Sequence, residues 1–191
     1  STVLTRLRIG TRSLANLARP AINLALVVDT SGSMDGRAIA DARTASLALL
    51  EQLADGDRLA VVVFHSRTEL MVPSVVLDDE TRADARTKIG AMASSGTTDM
   101  ANGLRVGLEE LLRNYQEGGV NRLVLLGDGV PNDAAPIAAL AQAAGERHIA
   151  ITSLGLGVDY DETIMGQIAQ LSGGHFHYIE NSATVAAVFR D

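Results

Sequence analysis

The chain has 191 residues, of which 47% are hydrophobic, so it is long enough to bury a substantial single core. It contains no cysteine, which excludes disulfides, thiolate zinc sites and a cysteine nucleophile. All 23 acidic residues but only 12 of the 16 basic residues follow position 20, and this acidic body would repel the phosphates of a nucleic acid.

Residues 1–20 differ from the rest of the chain because they carry four arginines and no acidic residue. Their VLTRLRIG stretch alternates apolar and polar residues, which predicts an exposed antiparallel strand. We expect 1–20 to be an extension, either a strand or a linker from a preceding domain, and 21–191 to form one domain. The basic arm could contact a polyanion, although a solvated strand or linker is the simpler interpretation.

Strands are predicted where apolar residues run almost without interruption, as in parallel sheets that are covered on both faces. Four such runs occupy 22–29, 58–64, 121–128 and 148–157, and 175–180 is a shorter candidate. Pro73 interrupts a further run at 68–77, which predicts an edge strand or a turn between two short pieces. No apolar run approaches the roughly 20 residues that a membrane span needs.

Helices are predicted between these runs, where apolar residues recur at helical spacing. The segments are 36–54, 80–92, 101–115, 134–146, 161–172 and 182–190. Repeated β-α units with short connections predict an α/β fold with a doubly wound, mostly parallel sheet, helices on both faces and one antiparallel edge strand.

Oxygen-bearing side chains collect where predicted strands end or helices begin. They are Asp29, Ser31 and Ser33 in DTSGSM, Thr98 in GTTDM and Asp128 in LLGDG. Ligands of open α/β sheets bind at the carboxyl ends of the strands, so these loops should meet on one rim. Three hydroxyls and two carboxylates, completed by water, suit a hard cation such as Mg²⁺.

Each segment also has a purely structural interpretation. Ser33 or Asp35 could cap a helix, as could Thr97, Thr98 or Asp99, and GDGVPND is a turn signal with Asp133 as a cap. The metal-site interpretation is preferred because all three segments occur together, in order. Asp35 and Asp99 are expected to be caps or supporting groups rather than ligands.

The same three segments resemble the von Willebrand factor type A family. VVDTSGSM matches its D-x-S-x-S motif, GTTDMANGL is similar to G-G-T-N-L-x-x-G-L, and LLGDGVPND is similar to L-L-T-D-G-x-P-N. The resemblance covers about residues 21–190 and implies a Rossmann-like fold with a metal-ion-dependent adhesion site. That site would hold Mg²⁺, Mn²⁺ or Ca²⁺ through Asp29, Ser31, Ser33, Thr98 and Asp128.

The resemblance implies a non-enzymatic binding module whose cation takes an Asp or Glu from a protein partner. Because the rim itself is acidic and would repel an acidic surface, we expect a single exposed Asp or Glu set among neutral or basic residues. Such binding can couple in the family to movement of the last helix, here 182–190. Gly127 and Thr97 depart from the pattern, which often has Thr and Gly there, and Gly127 is expected to loosen hydrogen bonding around the site.

Two other functions are compatible with parts of the sequence. A metal-dependent hydrolase of the phosphoesterase kind would use the same cation to activate water, but no His, Lys or Glu is fixed beside the motifs as a base. A structural copy without metal is disfavoured by the intact five-residue set. No nucleophile elbow, phosphate loop or dinucleotide fingerprint is present, and His175 and His177 lack a third ligand nearby in the sequence.

Overall fold

The computed structural model describes residues 19–156 and 160–179. In chain order its elements are β1 (Ile22–Asp29), α1 (Arg37–Gln52), β2 (Arg58–Phe64), β3 (Thr68–Val76), α2 (Asp79–Gly90), α3 (Met100–Arg113), β4 (Val120–Gly127), α4 (Ala135–Glu146), β5 (Ala150–Gly155), α5 (Glu162–Ser172) and β6 (Phe176–Tyr178). The predicted strand in VLTRLRIG and the predicted helix at 182–190 lie outside the described residues.

The six strands form one sheet in the order β3-β2-β1-β4-β5-β6. Only β3 runs antiparallel to its neighbour, and it stands at an edge, so the predicted architecture is confirmed. Leu26 and Val27 in β1 are both buried because helices cover both faces of the sheet. Helices α1 and α2 pack on one face, and α3, α4 and α5 pack on the other.

The edge strand β3 continues through Pro73 instead of breaking into two pieces. An edge strand tolerates proline because its outer N–H groups need no partner in the sheet. The register with β2 shifts between Leu59 and Val61, where β3 bulges. The backbone N–H of Ser74 in this bulge donates to the Glu110 carboxylate of α3 at 2.8 Å, which ties the edge to the helix layer.

The sheet topology places the predicted site at the carboxyl ends of β1 and β4. These strands are parallel neighbours, with Val28 opposite Leu126, so Asp29 and Gly127 end side by side and Asp128 follows. Helix α3 begins beside them, and Asp99 caps it by accepting from the Asn102 N–H at 3.2 Å. None of the helices in the described ranges has the length and apolar character needed to cross a bilayer.

Candidate functional site

Asp29 lies at the end of β1 and is completely buried. Its Oδ1 accepts a hydrogen bond from the Ser31 N–H at 2.8 Å, whereas its Oδ2 has no hydrogen-bond partner. Burial raises the pKa of Asp29 to about 6, opposed by the Ser31 hydrogen bonds and reinforced by the nearby negative charge of Asp128. The carboxylate therefore lies in an environment that disfavours its charge.

The two serines of the first motif are brought together by a tight turn. After Asp29 the chain makes a short 3-10 turn over Gly32–Met34, in which the Met34 N–H donates to the Ser31 carbonyl at 3.0 Å. Met34 is buried and anchors the turn against the core. As a result the hydroxyls of Ser31 and Ser33 lie 3.0 Å apart, Ser31 buried and Ser33 exposed.

Thr98 is held beside this turn by backbone hydrogen bonds between loops. The Gly32 N–H donates to the Gly96 carbonyl at 3.0 Å, and the Ser95 N–H donates to the Thr30 carbonyl at 2.8 Å. The Thr98 carbonyl in turn accepts from the Asn132 N–H at 3.0 Å, which joins its loop to the one after β4. Thr98 is 93% buried, so its hydroxyl has a defined place in the rim.

Asp128 begins the loop after β4 and is also largely buried. Its Oδ1 accepts from the Val130 N–H at 3.1 Å, which closes a local turn. Gly129 has a φ of +72°, and a Cβ there would lie 2.5 Å from Met165 Cγ, so glycine is required for this turn. The sequence signal GDGVPND therefore describes a real turn, and that turn also presents a carboxylate to the site.

All five predicted residues belong to one place in the structure. Ser33, Thr98 and Asp128 line a cleft of about 560 Å³, and Asp29 and Ser31 lie directly behind it through the contacts given above. The parts of the chain that the structure describes contain no group of three or more His, Cys, Asp or Glu side chains suited to a metal. A cation here would therefore depend on hydroxyl groups as well as on two carboxylates.

Supporting residues that the sequence did not single out hold the loops in register. The Ser66 hydroxyl accepts from the Thr97 N–H at 3.0 Å. A Cβ on Gly96, whose φ is +71°, would approach Ser66 Oγ to 2.2 Å. Asp35 caps no helix and instead accepts from the Ser94 hydroxyl at 2.9 Å, because Gly36 occupies the N-cap of α1. Nothing in the sequence pointed to Ser66 or Ser94, whereas Asp35 was expected to be a cap or a supporting group.

Gly127, one of the departures from the family pattern, lies against Asp29. A Cβ at Gly127 would come within 2.6 Å of Asp29 Cβ and 3.2 Å of Asp29 Oδ2. No hydroxyl at this position reaches Oδ2, and that oxygen has no partner. This agrees with the expectation that glycine here reduces the hydrogen bonding around the site.

The histidines do not join this site. The rings of His175 and His177 stack with centroids 6.2 Å apart at β6. Burial lowers the pKa of His177, and the neighbouring charge of His175 lowers it further. His65 follows β2, where its Nδ1 accepts from the Arg67 N–H at 3.4 Å and its carbonyl accepts from the Asp99 N–H at 2.9 Å. Its backbone thus supports the Thr98 loop.

Two relatives are similar to this chain in sequence. A Synechocystis protein, sll0103, is 29% identical over 174 residues, which are 90% of this chain and 41% of that protein. Escherichia coli YfbK is 29% identical over 171 residues, or 84% of this chain and 29% of that protein. The chain thus spans less than half the length of either relative.

Solved structures give the same result at the level of fold. A von Willebrand factor type A protein from Catenulispora acidiphila superposes with a TM-score of 0.79 at 24% identity, covering 91% of this chain and 42% of that one. Manganese-loaded TRAP from Plasmodium vivax superposes with a TM-score of 0.74 at 20% identity, covering 88% and 72%. The family model for the von Willebrand factor type A domain matches residues 23–191, and the chain belongs to that family.

Proposed function

We propose that this domain is a protein-binding module that holds one divalent cation at the rim and uses it to bind a carboxylate of its partner. The observation that carries the proposal is Asp29, a fully buried carboxylate with one oxygen that has no hydrogen-bond partner. An ionised carboxylate is costly to bury unless a positive charge or hydrogen bonds compensate it. Neither compensates Asp29 Oδ2 within the described residues.

The donor set around Asp29 fits a hard cation. Asp29 and Asp128 supply carboxylates, and Ser31, Ser33 and Thr98 supply hydroxyls, all oxygen atoms of the kind that Mg²⁺, Mn²⁺ and Ca²⁺ prefer. We expect the serines and Thr98 to bind the ion directly and the two aspartates to act directly or through water. The bound ion would supply positive charge that attracts an external carboxylate.

A binding role is favoured over hydrolysis by the chemistry of the cleft. A metal-dependent hydrolase needs a group that takes a proton from the attacking water or gives one to the leaving group. Within the described residues the cleft is lined by no His, Lys or Glu, and Asp35 is already hydrogen-bonded to Ser94. Neutral hydroxyl ligands leave the positive charge of a cation incompletely balanced, which favours capture of an anion.

Titration calorimetry with Mg²⁺ and with Mn²⁺, the ion named for the similarly folded TRAP, tests the metal step. We expect one site in the wild-type protein, lost in Asp29→Ala and strongly weakened in Thr98→Val, which keeps the side-chain shape but removes the hydroxyl. Thr87→Val is the matched control, because Thr87 is exposed on α2. Equal binding by wild type and Asp29→Ala, with circular dichroism showing both folded, contradicts the proposal.

The partner step is tested with a probe peptide, acetyl-Gly-Asp-Ser-Asn-Gly-amide, labelled with a fluorophore. We expect a rise in anisotropy with saturating Mn²⁺, no rise in EDTA, and no rise with the peptide in which Asn replaces Asp. Binding that is equally strong in EDTA and in Thr98→Val would place recognition on another face of the domain. In that case any bound metal has a structural role.

A further inference from the structure

One basic side chain faces the cleft and takes no part in holding the loops. Arg37 lines the same 560 Å³ cleft as Ser33, Thr98 and Asp128, and among the described residues that line the cleft it is the sole base. Its side chain is 82% exposed, and its ion pair is a 3.4 Å contact with Asp41 one helical turn later. The guanidinium is therefore free to turn towards a bound molecule.

Helix stability does not explain an arginine at this position. Arg37 is the first residue of α1, where the partial positive charge of the helix end disfavours a cation. Helices α2 and α5 instead carry acidic residues in their first turns, as the helix dipole favours. An Arg-before-Asp order is also the weaker orientation of an i,i+4 pair. Residues that break a local rule without structural benefit often serve binding.

We propose that Arg37 binds a second carboxylate of the partner, so that the site selects exposed segments carrying two acidic residues. This inference rests on the proposed function, in which the first carboxylate goes to the cation. The cleft has a volume of about 560 Å³, which leaves room for a short peptide segment. Carboxylates on alternate residues of an extended segment lie on one face about 7 Å apart, so both can face the same side of the domain.

A local positive charge in the cleft supports this partner, in place of the single acidic residue expected from the sequence. With Asp29 and Asp128 balanced by a divalent cation, the other charged side chains that line the described part of the cleft are Arg37 and Asp35, and Asp41 lies beside Arg37. Asp35 stays negatively charged while it accepts from Ser94, so the attraction for a second carboxylate is local and comes from the guanidinium. A planar guanidinium also binds a carboxylate through two parallel hydrogen bonds, which gives orientation as well as attraction. The exposed Val130 and the half-buried Pro131 complete the cleft wall with apolar surface.

The test compares two labelled peptides in saturating Mn²⁺: acetyl-Gly-Asp-Ser-Asp-Gly-amide and its single-acid analogue, acetyl-Gly-Asp-Ser-Asn-Gly-amide. We expect the wild-type protein to bind the two-acid peptide about fivefold more tightly, the advantage expected of one exposed ion pair. Arg37→Gln should reduce this preference to a ratio near one while leaving binding of the single-acid peptide almost unchanged. Arg37→Lys should retain part of the preference.

The matched control is Arg105→Gln. Arg105 is likewise an exposed arginine paired with an acid four residues later, but it lies on α3 and lines no part of this cleft. It should keep the fivefold preference, which separates a specific contact from a general loss of positive charge. A preference that persists in Arg37→Gln, with metal-dependent binding intact, overturns the role of Arg37 alone. Absence of metal-dependent binding to both peptides overturns the proposed function and this inference together.

Discussion

Each end of the sheet contains a buried aspartate, and the two aspartates differ in how many hydrogen-bond and charge partners they have. Asp57 lies just before β2, is 2% exposed, and both its oxygens accept from Arg19 Nη1, at 2.9 and 2.8 Å. It also accepts from the backbone N–H groups of Ile22 and Ala54. Asp29, at the other end, is equally buried, yet it has one backbone donor and an oxygen without a partner.

Under the proposed function, the difference is that between a structural carboxylate and a metal-binding one. Asp57 is neutralised by Arg19, and its hydrogen bonds connect the start of β1 to the turn before β2. Asp29 keeps its charge uncompensated within the described residues, in a fold whose ligands bind at that rim. Such uncompensated groups lower the stability of the free protein and are retained where a ligand supplies the missing charge.

Asp57→Ala is expected to have the largest effect. It removes four hydrogen bonds from the buried carboxylate and leaves Ile22 N–H and Ala54 N–H without that acceptor. Breaking a buried, hydrogen-bonded pair costs about 3 kcal/mol or more, and the partial exposure of Arg19 keeps the value near the lower limit. Urea unfolding in EDTA measures the loss.

The control for this change is Asp55→Ala, because Asp55 is exposed and pairs with Arg82 on the surface. A surface pair contributes at most about 1 kcal/mol, so the control should lose far less than the Asp57 variant. Similar losses in the two variants would mean that the hydrogen bonds at Asp57 do not stabilise the fold as argued.

Metal saturation should give the next largest effect, and only at the Asp29 end. A ligand that binds the folded state alone stabilises it by about 2.7 kcal/mol at one hundred times its dissociation constant. The thermal unfolding midpoint should therefore rise with Mg²⁺ or Mn²⁺. Asp57→Ala should gain the same increment as the wild type, because distant sites contribute additively.

Adding metal to both proteins also tests whether the Asp29 and Asp57 ends of the sheet contribute independently to stability. A smaller metal increment in Asp57→Ala than in the wild type would show coupling through the sheet. Failure of both Mg²⁺ and Mn²⁺ to stabilise the wild-type protein at millimolar concentration would contradict the proposal that Asp29 belongs to a metal site.

The strands and the positions of the candidate metal-binding residues follow from the sequence, because apolar runs and their polar ends are local features. The run 22–29 ends in Asp29 and the run 121–128 ends in Asp128, so parallel pairing brings both to one rim. Pro73 left two interpretations open, since only pairing with β2 determines that its segment is one edge strand. Registers of this kind depend on neighbours distant in the sequence.

The condition of each carboxylate could not be predicted in the same way. The sequence does not distinguish Asp57 from Asp29. Only the tertiary structure shows that Asp57 is paired with Arg19, whereas Asp29 lies against Gly127. The role of Ser66 could not be predicted either, because its contact with Thr97 joins residues 31 positions apart. Hydrogen bonds between loops have no period in the sequence that would reveal them.

Asp29→Asn is expected to stabilise the metal-free protein at pH 7.5. The pKa of Asp29 is raised from an ordinary 3.8 to about 6 in the folded state, so its burial in charged form opposes folding. Asparagine keeps an acceptor for the Ser31 N–H and removes the charge, but it buries a new amide donor. The net gain should be about 1–2 kcal/mol in urea unfolding with EDTA.

The pH dependence gives the sign of this effect. A raised pKa makes the Asp29 contribution to stability fully present below about pH 4 and lost as the pH rises through about 6. The advantage of Asp29→Asn should therefore shrink between pH 7.5 and pH 4.5. An advantage that is constant over this range would point to packing rather than charge.

The smallest effect is expected at Asp78, which tests the opposite sign on the surface. Asp78 caps α2 by accepting from the Thr81 N–H at 2.9 Å and from its hydroxyl at 2.8 Å, and these hydrogen bonds lower its pKa. Its contribution is therefore present above its ordinary pKa and declines as the pH falls through the lowered value. Asp78→Ala should destabilise the protein at pH 7 and less so at pH 3, the reverse of the trend for Asp29→Asn.

Asp84→Ala, an exposed change within the same helix, serves as the control. If the loss at Asp78 were the same at both pH values, its effect would come from the loop conformation before α2 and not from the charge of the cap.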